Sequence, residues 1–157
     1  MTEKPQSPQP PTQIGIGAQY VKDLSFESPN APQVFSIPNN QPEINFSVNV
    51  HSRNLADRAF EVLLALKLEA KLAGKTAYIV ELSYGGVFVL PAMPEDQTKM
   101  FLMVEAPRLL FPFARAVVAD AIRDGGFAPM MLSPIDFMAL YQANKDTVGL
   151  MPTQGAA

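Results

Sequence analysis

Between Glu43 and Val50 the chain reads EINFSVNV, and the alternation is strict: Ile44, Phe46, Val48 and Val50 on one side, Asn45, Ser47 and Asn49 on the other. A period of two sends successive side chains to opposite faces of an extended backbone, so this stretch is predicted to be a half-buried strand. The same period returns downstream. Across residues 59–71, Phe60, Val62, Leu64, Leu66 and Leu68 oppose Glu61, Ala65, Lys67 and Glu69. Across residues 76–90, Tyr78, Val80 and Leu82 oppose Glu81 and Ser83. Residues 20–27 supply a fourth candidate, with Leu24 and Phe26 against Asp23, Ser25 and Glu27. Gly74 marks a turn between two of these strands, and the pair Gly85-Gly86 predicts a bulge in the last.

After Pro94 the period changes. Gln97, Met100, Phe101 and Val104 follow helical spacing, and Pro107 is expected to reset the chain. A longer helix then carries the apolar stripe Leu110, Phe113, Ala114, Val117, Ala121 and Ile122, with Pro112 near its first turns and Gly125-Gly126 closing it. Ser133-Pro134-Ile135-Asp136 reads as a cap for a last helix, with Ser133 at the N-cap and the helix ending near Asn144. Strands followed by helices predict an α+β fold: a four-stranded antiparallel sheet with helices packed on one face. The other face, carrying Asp23, Glu27, Glu43, Glu61, Glu69 and Glu81 against Lys67 and Lys71, is expected to be wet and acidic.

Two stretches do not fit the periodic pattern, and proline explains both. Pro5, Pro8, Pro10 and Pro11 lie in a polar leader, so residues 1–18 are read as a disordered arm, with the ordered domain at 19–145 and a flexible tail at 146–157. Pro29, Pro32, Pro38 and Pro42 punctuate a second irregular stretch, residues 28–42, which carries Val34, Phe35 and Ile37. Such long loops inside compact domains are usually functional or mobile. Either this one folds back over the sheet and completes the core, or it walls an apolar groove with the second strand and the long helix.

Charge and composition then exclude whole classes. The 157 residues carry 12 Lys plus Arg against 15 Asp plus Glu, a formal charge of −3, so a positively charged grip on nucleic acid or anionic lipid is not expected. There is no cysteine, which removes disulfides, thiolate zinc sites and thiol catalysis. No apolar run approaches the ~18 residues a spanning helix needs, and the N-terminus has no apolar core for a signal peptide, so a cytoplasmic protein is expected. His51, the single histidine, is read as a turn residue rather than a general base. Gly15-Ile16-Gly17 lacks the third glycine and the preceding strand of a nucleotide-binding turn. Paired carboxylates such as Asp23 and Glu27 lie on the exposed face, where nothing desolvates one of them. No catalytic residue, metal site or cofactor is expected, and the chain is not read as an enzyme.

What remains is surface. Eight methionines and ten phenylalanines in a chain without tryptophan suggest adaptable apolar contact. Three readings fit: a module with an adaptable apolar binding surface, a small-ligand binding domain with an apolar pocket, or a non-catalytic structural oligomer. The acidic face would suit a small basic domain, with attraction that weakens as salt rises.

Particular strings narrow this. YVKDLSFESPNAPQVF at 20–35, VELSYGGVF at 80–88 and LLFPFARAVVADAIRDGGFAPMMLSPIDFMALY at 109–141 resemble the SecB protein-export chaperone family. The resemblance implies a cytosolic homotetramer, a dimer of dimers. It implies an ATP-independent holdase that binds unfolded preproteins in apolar grooves and passes them to the SecA ATPase. The positions matching the client groove are Phe35, Ile44, Phe46, Val48 and Phe113. Those matching the SecA-docking acidic face are Asp23, Glu27, Ile79 and Glu81. Two features depart from the family: the proline-rich arm, and a tail in which only Lys145 and Asp146 are charged after Tyr141.

Overall fold

The computed structural model describes residues 12–38 and 41–148, the last four by backbone only. The expected arm therefore lies outside the described residues up to residue 11, and the expected tail beyond residue 148. Strands β1 (Gly15–Glu27), β2 (Glu43–Ala56), β3 (Ala59–Leu72) and β4 (Lys75–Val89) form one antiparallel sheet in the order β1-β4-β3-β2. The two central strands, β4 and β3, are the ones whose apolar faces are buried along most of their length. Leu64 opposes Tyr84, Leu66 opposes Leu82 and Leu68 opposes Val80, and all six side chains are buried on one face. Ala73 and Gly74, both with positive φ, make the tight β3–β4 turn whose twist matches that of the flanking strands.

Helices α1 (Glu95–Met100) and α2 (Ala106–Asp124) are joined by a wide π-helical stretch, Phe101–Glu105, and α3 (Phe137–Val148) follows. Contrary to expectation, Pro107 does not interrupt the helical run. A proline lacks the N–H and its ring crowds the carbonyl one turn back, and the widened turn immediately before Pro107 takes up that mismatch. α2 lies on β4 and β3 and buries Leu110, Phe111, Ala114, Val118 and Ile122. At ~100° per residue Phe113 sits ~130° from the centre of that stripe, and its ring is 52% exposed rather than in the core. α2 closes as expected at Gly125-Gly126. Phe127 N–H donates to the Ile122 carbonyl at 3.1 Å and Gly126 N–H to Arg123 at 3.0 Å, and Gly126 takes the positive φ that this cap requires. The cap of α3 is Asp136 rather than Ser133: Asp136 Oδ1 accepts the Ala139 N–H at 3.0 Å, which places the helix start three residues later.

Edge strand β1 differs most from its sequence pattern. It begins at Gly15, inside the stretch read as an arm, and Gly15-Ile16-Gly17 is strand rather than a loop fragment. The pairing with β4 shifts register between Ile16 and Gln19 and between Val21 and Asp23, each time with an extra residue on β1. The bulges are thus in β1, not at Gly85-Gly86, which pairs without a break with Leu63 and Val62 of β3. The glycines serve contact instead: a Cβ on Gly85 would stand 2.8 Å from the Tyr20 ring.

Candidate functional site

The irregular stretch at 28–42 folds back over the sheet as the first alternative had it, and the cavity it walls is shared with β3, β4 and the segment after α2 rather than with the second strand and the long helix. Ser28 Oγ donates to the Ala77 carbonyl at 2.8 Å and Asn30 Nδ2 to the Thr76 carbonyl at 2.9 Å, stapling the loop to the start of β4. A short 3-10 turn, Gln33–Ser36, then points Val34 inward, where it is 1% exposed, and Phe35 outward, where it is 51% exposed. Between this loop and the sheet lies a cavity of about 340 Å³. Val34, Phe35, Ile37 and Pro42 form one wall, Leu72, Ala77 and Tyr78 of the sheet another, and Gly126, Phe127 and Ala128 after α2 a third.

Aromatic rings organise it. Tyr78 and Phe127 have centroids 4.8 Å apart, Phe35 and Phe127 5.0 Å, and Phe26 stacks on Tyr78 at 5.9 Å. No charged side chain lines the cavity among the described residues. A space of this kind takes apolar or aromatic groups out of water, and each large side chain so buried is worth about 1.5–3 kcal/mol before ordering costs.

Of the five groove positions, Phe35 borders the cavity, and Ile44, Phe46 and Val48 follow from its Pro42 rim along β2. They face Ala70, Leu68 and Leu66 of β3 on the helix side of the sheet. β2 is an edge strand, and Phe46 stays 38% exposed. Phe113 is not among the residues lining the cavity. It lies on α2, its ring parallel to that of Tyr84 at 6.4 Å. Sequence reading missed Tyr78 and Phe127 because each counts locally as core or turn; only the docking of the loop makes them a wall.

The opposite, open face gathers Asp23, Glu27, Ile79 and Glu81 as expected. Glu27 pairs with Ile79, and Asp23 and Glu81 border one shallow trough. The face is less one-sided than its sequence implied. Lys67 Nζ lies 3.2 Å from Glu81, both about half exposed, a pair worth no more than ~1 kcal/mol. Glu61 is buried, not wet. Its carboxylate accepts a hydrogen bond from Tyr20 and from Lys22 at 3.0 Å, and Arg53 approaches to 3.2 Å. Lys22 reaches this face as the extra residue of the β1 bulge, and Arg53 because β2 continues past His51 to Ala56; His51 is therefore a strand residue, not a turn residue.

The Tyr20 hydrogen bond, with Lys22 adding to it, holds Glu61 below the ordinary glutamate pKa despite its burial. Tyr20 is pushed up to about 12, by burial first and by Glu61 second. A carboxylate with a lowered folded pKa contributes stability that is complete above its unfolded value, near 4.5, and is lost as pH falls through the folded one. A tyrosine with a raised pKa contributes stability that is complete below 10 and lost as pH climbs toward 12. Urea midpoints measured from pH 7 down to pH 3 are expected to fall less steeply for Glu61→Gln than for the parent. Parallel acid limbs would show that Glu61 does not carry the dependence.

Among the described residues no three His, Asp or Glu side chains gather as a metal set, and no helix is long and apolar enough to cross a membrane.

Comparison with known proteins bears on this geometry. Residues 6–147 match the family model described as preprotein translocase subunit SecB. The protein-export protein SecB of Afipia carboxidovorans is 50% identical over 134 residues, covering 85% of this chain and 83% of its own. That of Rhodospirillum centenum is 52% identical over 128 residues, 81% of this chain and 76% of its own. A SecB-like chaperone from Mycobacterium tuberculosis, solved with a peptide from an antitoxin, shares the fold with a TM-score of 0.65 at 13% identity, over 78% of this chain and 90% of that one.

Proposed function

The chain belongs to the SecB family of protein-export chaperones, a non-enzymatic family, and we propose that it holds unfolded preproteins by seating their apolar and aromatic side chains in the cavity behind Phe35 and along Ile44, Phe46 and Val48 of β2. The observation that carries this reading is the cavity itself: uncharged among the described residues, ring-walled, and bordered by Pro42, next to the strand on which Phe46 stays exposed. Holding needs no ATP, because the exchange of water for hydrocarbon supplies the free energy. Several such sites on one assembly raise the effective concentration of each client segment.

The assembly we propose is the family's dimer of dimers, in the cytoplasm. Two unpartnered apolar surfaces support it: Leu109 and Phe113 on the outer side of α2, and Val21 and Leu24 on edge strand β1, all 44–52% exposed. We accordingly assign Phe113 to assembly rather than to the groove. Delivery to the SecA ATPase is assigned to Asp23, Glu27, Ile79 and Glu81, whose shared open face leaves them clear of the client side.

A crossed experiment tests both assignments. Phe46→Asp is expected to weaken binding of a labelled, denatured preprotein about tenfold or more while the assembly mass stays unchanged. Glu81→Lys is expected to weaken SecA capture at moderate salt while preprotein binding stays at the parent level. Phe46→Asp binding preprotein as the parent does would sink the groove assignment, and Glu81→Lys capturing SecA as the parent does would sink the docking face.

A further inference from the structure

Tyr78 is the single polar side chain in the cavity wall among the described residues. It is 3% exposed, its ring held between those of Phe26 and Phe127. Burial alone raises its pKa; no charged or hydrogen-bonding neighbour contributes, and among the described residues nothing bonds the hydroxyl. The oxygen is not sealed in, either, since the side-chain polar atom that is both enclosed and unpartnered is Arg115 Nε. A hydroxyl that loses its water to an apolar occupant without gaining a partner is costly, and phenylalanine at this position would give the same ring contacts without that cost. Tyr78 borders the cavity and is its one polar side chain among the described residues, so an occupant that takes water from the hydroxyl must replace that hydrogen bond or forfeit it.

We propose that the Tyr78 hydroxyl selects what occupies this cavity: a client tyrosine, whose ring meets the aromatic walls and whose own hydroxyl closes a hydrogen bond with Tyr78, is held in preference to phenylalanine. The inference rests on the reading that client side chains enter the cavity. A phenol both donates and accepts, so either partner can give the proton. Phenylalanine in the same place leaves the Tyr78 hydroxyl unsatisfied, and the difference is that of one net hydrogen bond, roughly 3- to 10-fold in affinity.

The test uses two labelled unstructured peptides, identical except for Tyr or Phe at one central position. Each is titrated against the full chain as parent, Tyr78→Phe and Phe35→Asp. The parent is expected to bind the Tyr peptide roughly 3- to 10-fold tighter. Tyr78→Phe is expected to lose that preference, bind the Phe peptide at least as well as the parent does, and melt no lower than the parent, because no bond in the fold is removed. Phe35→Asp is expected to weaken both peptides about tenfold or more. Equal binding of the two peptides by the parent overturns the proposal, as does a preference that survives Tyr78→Phe. Equal weakening of both peptides by Tyr78→Phe also overturns it, since the hydroxyl then meets the main chain rather than the side chain. If Phe35→Asp weakens neither peptide, the cavity reading fails and the selection falls with it.

Discussion

Gly125→Val is expected to destabilise the fold by about 3 kcal/mol, the upper end of what overpacking usually costs, and to weaken client binding with it. A Cβ built at Gly125 stands 2.1 Å from Cζ and 2.4 Å from Cε1 of the Phe26 ring, closer than atoms can approach. The ring has little room to retreat, because it stacks on Tyr78 at 5.9 Å and leans on Phe127 at 6.4 Å. Displacing Phe26 therefore pushes on two walls of the cavity. The urea midpoint is expected to drop by about 1–3 M, the loss divided by the usual urea slope. Gly17→Ala is the control: its Cβ would meet Val87 at ordinary contact distances of 3.5 Å and more, so its midpoint is expected to stay near the parent's. A Gly125→Val protein as stable as the parent would mean that the close approach of α2's end to β1 is not maintained in solution.

Val34→Asp is expected to abolish client binding while leaving the sheet folded. Val34, 1% exposed, is the loop's anchor in the core, and burying it is worth about 1.5–3 kcal/mol. An unpaired carboxylate in that position costs several kcal/mol, more than the anchor supplies. The lower-energy response is for the segment around Val34 to let go, since the Ser28 and Asn30 hydrogen bonds hold the loop's first residues and Val34 is the side chain its 3-10 turn buries in the core. Amide exchange is expected to quicken across residues 31–38 and to stay slow in β3 and β4, while preprotein affinity falls by more than tenfold. Global unfolding, or unchanged affinity, would show that the loop is not an independently docked wall.

How much of this was readable in advance depends on whether the signal is local. The alternation of β2, strict, and of β3 and β4, less so at Leu63 and Ile79, encodes their faces locally, and the pattern told which side of each strand turns toward the helices. The glycine pair after α2 encodes its cap in the same local way. The bulges of β1 are different. Which residue is extra depends on pairing with β4, and Lys22 looks like any surface lysine until the offset turns it toward Glu61. Pro107 looks like a stop because its penalty belongs to a regular helical ladder, and a widened turn removes that ladder. Phe113 directly precedes Ala114 at the middle of the buried stripe, and a step of one position, ~100° around the helix, is enough to change core into surface. The cavity needs three segments distant in sequence, so Phe35 was legible as an unburied ring, whereas Tyr78 and Phe127 were not legible as its neighbours. Recognisable strings in the first strand and the long helix supplied what periodicity could not.

The buried carboxylate of Glu61 has a mechanical side. Arg53 belongs to one outermost strand, Tyr20 and Lys22 to the other, and all three converge on a side chain from β3 between them. The result is a crossbar tying the sheet's two margins together. A pull on the outer strand β2 is then expected to load the Arg53–Glu61 contact as well as the β2–β3 ladder, so that the far margin shares it.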